Sequence, residues 1–320
     1  MENSIPWIEK YRPKHIDDVI LNKDVEKLVK SFLDERRGIH IIICGVPGIG
    51  KTSTVRCMAK YILGDNMKDG YLELNAADDR GVKIISNIIP PFCKKVVSFD
   101  CPKIILLDEA DNLTHNCQND IDNMIEKYGN NTKFMFTCND SKKINEDIQS
   151  VCRIIHFNNP PKESVKKYLC DICDKESIKY QEDGIEMIYY VSGFDVRKSV
   201  NDLQKTAYSL GKITKKSVAN VCNIPDPDIV KNIIEMCFTG SIIEVNNAVI
   251  NLVDKGHVFS DIINSFSYII INMDNISEST RVELIDIVYQ LKITTSSKVK
   301  SRLQLSAMIA NIYGKLTEIL

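Results

Sequence analysis

Two short segments carry residues whose types and spacing fit the handling of a triphosphate. Gly45-Val46-Pro47-Gly48-Ile49-Gly50-Lys51-Thr52 has the pattern G-x-x-x-x-G-K-T, directly follows an apolar run and leads, through Ser53, into a helical pattern that continues to Leu63. A glycine turn in that context presents backbone N–H groups to phosphate oxygens, and the following helix adds the positive end of its dipole. Lys51 supplies a point charge for the β- and γ-phosphates, and the Thr52 hydroxyl a ligand for Mg²⁺. The second segment, Lys103 to Glu109, is an apolar run that ends in two adjacent carboxylates. Asp108 at a strand tip can hold the metal shell, while Glu109 can polarise a water for in-line attack on the γ-phosphate. Alone, such a run is more often a plain strand end; its place after a phosphate loop gives it a chemical reading. The ligands expected are therefore ATP and Mg²⁺.

The elements that must position these residues follow from hydrophobic patterning. Short β-branched runs at His40 to Cys44, Tyr71 to Leu74, Lys103 to Leu107, Lys133 to Cys138 and Arg153 to Phe157 are separated by helix-length stretches. That alternation predicts an α/β fold with a parallel sheet flanked by helices, a P-loop domain over residues 1–160. Asn158-Asn159-Pro160-Pro161 ends it, because two prolines stop any regular element. Helical periodicity then takes over, with Glu163 to Glu176, Asp183 to Val191 and Val196 to Leu210 predicting a small helical lid over 161–224. Ile224-Pro225-Asp226-Pro227 is a second breaker, and residues 225–320 read as an all-α domain with helices at Ile229 to Phe238, Ile242 to Val253 and Ser260 to Ile271.

Bulk composition limits the possibilities. The chain has 320 residues, 41 basic and 43 acidic, so a formal net charge of −2 gives no global positive field; affinity for nucleic acid would need a local patch. Eleven cysteines occur, several within apolar runs such as Cys44, Cys138, Cys152 and Cys237, which is the pattern of buried thiols in a reducing compartment. No apolar stretch approaches bilayer length and none resembles a targeting signal, so no membrane partner is expected. Cys170-Asp171-Ile172-Cys173 has the spacing of half a zinc site but lacks a second pair, so no zinc is expected.

Four further segments narrow the reading. Trp7-Ile8-Glu9-Lys10-Tyr11-Arg12-Pro13, Glu73 to Val82 with Asp78-Asp79-Arg80-Gly81, Asp108-Glu109-Ala110-Asp111, and Ser192-Gly193-Phe194-Asp195-Val196-Arg197 followed by Asn201-Asp202-Leu203-Gln204 occur in this order. Together they resemble the boxes of the replication factor C small subunits, AAA+ ATPases of sliding-clamp loaders. The resemblance runs from Trp7 to the C-terminal region, where Ser301 to Leu305 falls in a segment like the family's collar helices. It implies that Ile8, Arg12 and Ile20 lie near the adenine, that Asn139 serves as sensor 1 and that Arg197 reaches the γ-phosphate from the lid. It implies a hetero-pentamer with other clamp-loader subunits, a sliding clamp and primed double-stranded DNA as partners, and a nucleus or other intracellular replication site. Arg80 and Lys83 are the candidate DNA contacts, and Lys94-Lys95 read either as further phosphate contacts or as a solvated helix face. Each motif also has a plain reading: residues 7–13 as an amphipathic arm, Asn139 as a turn residue, and Arg197 as a surface partner of Asp195 or Asp202.

Two positions depart from the family pattern. Where relatives carry Ser-Arg-Cys, this chain has Ser150-Val151-Cys152, so valine stands where an arginine reaches a neighbour's ATP; Arg153 lies two residues on, in what reads as an extended segment. Asp120-Ile121-Asp122-Asn123 replaces a segment with two arginines. The expected function is thus an ATPase subunit with an intact site of its own and a weak contribution to its neighbour's. The rival readings are a structural clamp-loader subunit with little hydrolysis and a branch-migration-type AAA+ motor.

Overall fold

The computed structural model describes residues 5–34, 39–76, 81–97, 101–273, 276–297 and 301–317; the side chains of 34, 81–86, 296 and 297 lie outside the description. Its elements run α1 Trp7–Lys10, α2 Lys23–Asp34, β1 Ile41–Cys44, α3 Lys51–Leu63, α4 Met67–Gly70, β2 Tyr71–Asn75, α5 Gly81–Lys94, β3 Lys103–Asp108, α6 His115–Tyr128, β4 Thr132–Cys138, α7 Glu146–Val151 and β5 Arg153–His156. Then follow α8 Lys162–Lys175, α9 Glu182–Ser192, α10 Val196–Leu210, α11 Lys215–Cys222, α12 Pro227–Thr239, α13 Ile242–Asp254, α14 Phe259–Ile271, α15 Glu278–Ser297 and α16 Arg302–Thr317. Two compact units result: residues 1–179 with 188–204, and residues 180–187 with 205–320.

The first unit is built on a five-stranded parallel sheet in the order β2-β3-β4-β1-β5. Because successive side chains alternate between faces, each strand feeds two cores. Ile42, Cys44, Ile105, Leu107, Phe134, Phe136 and Cys138 face α5 and α6, packing with Ile89, Cys93, Cys117, Ile121 and Ile125. Ile41, Ile43, Ile104, Leu106 and Met135 face α2 and α3, packing with Val29, Phe32, Val55, Met58 and Leu63. Burial on both sides explains why these strands read as continuous apolar runs.

The strand order places the carboxyl ends of β3, β4 and β1 side by side. In open α/β sheets that edge is where ligands bind. The register aligns Cys44 with Cys138 and Leu107 with Phe136, so Gly45, Asn139 and Asp108 emerge next to one another.

The second unit holds a helical core of its own, made from Val230, Ile234, Val245, Val249, Phe266, Leu284, Val288, Leu305, Ile309 and Ile312 on α12 to α16. Its helices carry the local signals expected of them. Pro227 opens α12 behind Asp226, whose carboxylate accepts from Asp228 N–H, and Ser241 with Glu244 forms a capping box on α13. Among the described residues no helix is long and apolar enough to cross a membrane.

Candidate nucleotide site

The loop between β1 and α3 leaves the sheet with Gly45 N–H donating to Cys138 O at 3.2 Å. Gly48 and Gly50 have φ of 76° and 93°, a left-handed conformation that only glycine adopts without strain. Lys51 opens α3 and curls back: its Nζ donates to Gly45 O at 2.6 Å, Val46 O at 3.0 Å and Asn139 Oδ1 at 2.9 Å. All three ammonium protons are thus used. Burial is the main influence on Lys51 and lowers its pKa below the ordinary lysine value, with nearby anionic groups opposing the shift.

Thr52 Oγ1 donates to Asp108 Oδ1 at 2.8 Å, and the Thr137 hydroxyl donates to the same oxygen over a short distance. A threonine hydroxyl beside a carboxylate is an all-oxygen donor set of the kind a hard divalent cation takes, so these residues fit Mg²⁺. Glu109 follows with φ 55°; its N–H donates to Thr137 Oγ1 at 3.1 Å and its Oε2 accepts from Asn112 Nδ2 at 3.3 Å. Asp111 Oδ2 accepts from Asn139 N–H at 3.3 Å, while Asp111 Oδ1 is buried without a hydrogen-bond partner among the described residues.

These groups line one cleft, lying within the first unit. Of the residues singled out in the sequence, Ile8, Arg12, Ile20, Pro47, Gly48, Ile49, Gly50, Lys51, Thr52, Ser53, Asp108, Glu109, Asn139 and Arg197 all line it. Gly45 and Val46 stand just behind, offering carbonyls to Lys51. Trp7 is buried, and its backbone N–H donates to Gln204 Oε1 at 3.1 Å. Glu176 accepts from both Lys10 Nζ and Tyr11 Oη at 2.6 Å, and Tyr168 Oη donates to Tyr11 O at 2.8 Å, so the N-terminal arm is fastened to α8 and α10. Arg197 is exposed and, among the described residues, pairs with neither Asp195 nor Asp202.

Some residues of the cleft escaped the sequence reading. Asp18, Thr137, Cys138, Tyr168, Val196 and Val200 also line the cleft. The one available signal was the hydroxyl of Thr137 inside the otherwise apolar run Phe134 to Cys138. Two expectations fall beyond what is described: Arg80 lies outside the described residues, and Lys83 is placed only by its backbone in α5. Lys95 is held by Asp69 at 2.6 Å in an exposed pair, a weak interaction. The segment around Val151 differs from its sequence reading, since Val151 closes helix α7 rather than lying in an extended run. Arg153 starts β5, and its guanidinium lies over the Phe32 ring, 5.0 Å from the centroid.

The sheet order, the glycine loop and the two strand-tip acids define a P-loop ATPase of the AAA class. The model for the ATPase family associated with various cellular activities matches residues 41–159, and that for the replication factor C C-terminal domain matches residues 225–311. A putative replication factor C small subunit of Acanthamoeba polyphaga mimivirus is 51% identical over 312 residues, covering 98% of each chain. Replication factor C subunit 4 of Schizosaccharomyces pombe is 34% identical over 96% of this chain and 91% of its own, and a small subunit of Archaeoglobus fulgidus is 34% identical over 97% and 98%. The chain belongs to the replication factor C small-subunit family, a family of clamp-loader subunits with an AAA ATPase domain. The Holliday junction branch migration motor RuvB of Thermotoga maritima shares the fold, with a TM-score of 0.55 at 15% identity over 79% of this chain and 90% of that one.

Proposed function

We propose that this chain is an ATP-binding and ATP-hydrolysing subunit that works inside a hetero-pentameric clamp loader, opening a ring-shaped clamp and setting it on primed double-stranded DNA. The observation that carries the reading is the single cleft in which the glycine loop, Lys51, Asp108, Glu109, Asn139 and Arg197 meet. In it Thr52 and Asp108 would hold Mg²⁺, which supplies Lewis-acid neutralisation of the terminal phosphate's charge. Lys51 exchanges its neutral oxygen partners for phosphate oxygens, a favourable trade because its ammonium then faces full negative charge. Glu109, whose carboxylate accepts a long bond from Asn112, orients a water and takes its proton. Asn139 and Arg197 grip the terminal phosphate from β4 and from α10. Ile8, Arg12 and Ile20 border the purine, and Arg80 and Lys83 meet DNA phosphates without reading sequence. The division at residues 160 and 224 into nucleotide-binding domain, lid and collar belongs to the same proposal, as does work at an intracellular replication site.

The test is Glu109→Gln in the complex reconstituted with its cognate subunits. Magnesium-dependent uptake of labelled ATP is expected to persist, while DNA-stimulated turnover from this site falls by roughly 100-fold or more. Unchanged turnover would point instead to a subunit whose nucleotide is structural.

A further inference from the structure

Just before Arg197 the backbone passes through two left-handed residues, Gly193 with φ 61° and Phe194 with φ 74°. Glycine takes this conformation freely, whereas a phenylalanine is held there only by its surroundings. Its ring lies edge-on to Tyr189, with centroids 5.5 Å apart. The kink delivers Asp195 and the start of α10 directly onto the phosphate loop. Val196 N–H donates to Gly48 O at 3.2 Å. The Asp195 carboxylate is so close that a Cβ added to Gly48 would sit 1.9 Å from Asp195 Oδ1. That same oxygen accepts from Lys198 N–H at 2.9 Å, capping the helix, and Asp195 O accepts from Ser199 N–H at 2.9 Å. Arg197 therefore stands between two anchored residues, one tied to the loop and one tied to Asp195.

We propose that Asp195 is a positioning residue: wedged against Gly48 while capping α10, its carboxylate fixes Arg197 relative to the phosphate loop, so that arginine and loop meet the nucleotide as one body. The proposal rests on the nucleotide-site reading above. Gly48 is thereby required twice, for its positive φ and for the room that Asp195 takes up. The role differs from charge pairing, because Asp195 and Arg197 form no ion pair among the described residues. An asparagine has the shape and the acceptor oxygen to do the same work.

The experiment measures magnesium-dependent binding of a fluorescent ATP analogue, and turnover in the reconstituted complex, for Asp195→Ala, Asp195→Asn, Arg197→Ala and the double variant Asp195→Ala with Arg197→Ala. Asp195→Ala is expected to weaken binding roughly tenfold, Asp195→Asn to stay near wild type, and the double variant to be no worse than Arg197→Ala, because Asp195 acts through the arginine. Multiplying effects in the double variant, or an Asp195→Asn as impaired as Asp195→Ala, would overturn the proposal while leaving the nucleotide site standing. An Arg197→Ala that binds and turns over like wild type would overturn the nucleotide role of Arg197 and the proposal together.

Discussion

Asp108 and Glu109 are neighbours in sequence, yet they are held by opposite means. On a regular strand their side chains would point to opposite faces of the sheet. The left-handed turn at Glu109 breaks that alternation and lets both carboxylates line one cleft, at a cost of about 1 kcal/mol or more for a non-glycine residue. Thr137 spans the pair, donating to Asp108 and accepting from Glu109 N–H, so one hydroxyl sets both acids. A different residue makes stability depend on pH. His40 Nδ1 accepts from Phe134 N–H at 3.0 Å, and burial, with Lys133 nearby, pushes the imidazole down to about 4 from its usual 6.5. The unfolded chain then binds the proton more readily, so this contribution is intact above pH 6.5 and is lost as pH falls towards 4. We expect the melting temperature to drop across that window, by an amount equivalent to roughly 2 kcal/mol after allowing for partial solvent screening. His40→Asn, which can still accept the Phe134 N–H, is expected to flatten the drop, as melting curves at several pH values would reveal.

Helix α5 shows how an element is closed by a single side chain of the strand that follows it. Pro90 and Pro91 lie inside it and cannot donate to the carbonyls a turn earlier, which weakens its last turns. Lys103, buried at the start of β3, compensates by donating to Phe92 O at 2.9 Å, Cys93 O at 2.5 Å and Lys95 O at 2.8 Å. Burial lowers the Lys103 pKa from the ordinary lysine value, but three carbonyls around one ammonium favour its charged form. Lys103→Met fits the space with an apolar chain and leaves those carbonyls without their cation. A loss of roughly 3 kcal/mol is expected in urea unfolding, since bonds to a charged donor are worth more than neutral ones. A loss below the error of the extrapolation would mean that water replaces the ammonium readily.

At the scale of the whole molecule, the proposed reading gives this chain a site of its own and little to offer a neighbour's. Val151, 43% exposed, ends α7 at the position where the family resemblance implies an arginine directed at a neighbour, and Arg153 lies over the Phe32 ring. Asp122, on α6, lies near Asp147 and Glu126, and burial together with these like charges raises its pKa, so this region gathers acids where a base would be needed. Under the proposed assembly, Val151→Arg is expected to raise turnover at the adjacent subunit's site by roughly tenfold or more, an arginine in that role being worth far more at its best. Mixing the variant with partners whose own phosphate-loop lysines are substituted would assign the gain to one interface. No gain at any interface would place this surface away from a neighbour's nucleotide.

The order of elements and most of the residues that line the cleft were legible in the sequence, because both depend on local rules. Continuous apolar runs mark strands buried on two faces, glycines mark the loop whose φ angles exclude other residues, and Val196 to Leu210 was bounded to the residue by its periodicity. Tertiary structure alone decided the rest, because it depends on which distant groups come within hydrogen-bond reach. Thr137 joined the acids because β4 lies beside β3, Lys103 became a helix cap because α5 ends above β3, and Tyr168 entered the cleft because the N-terminal arm is fastened to α8. Asp195 came to rest on Gly48 by the same route: a turn and a helix terminus 147 positions apart in the chain meet only once the sheet has brought the loop to its edge.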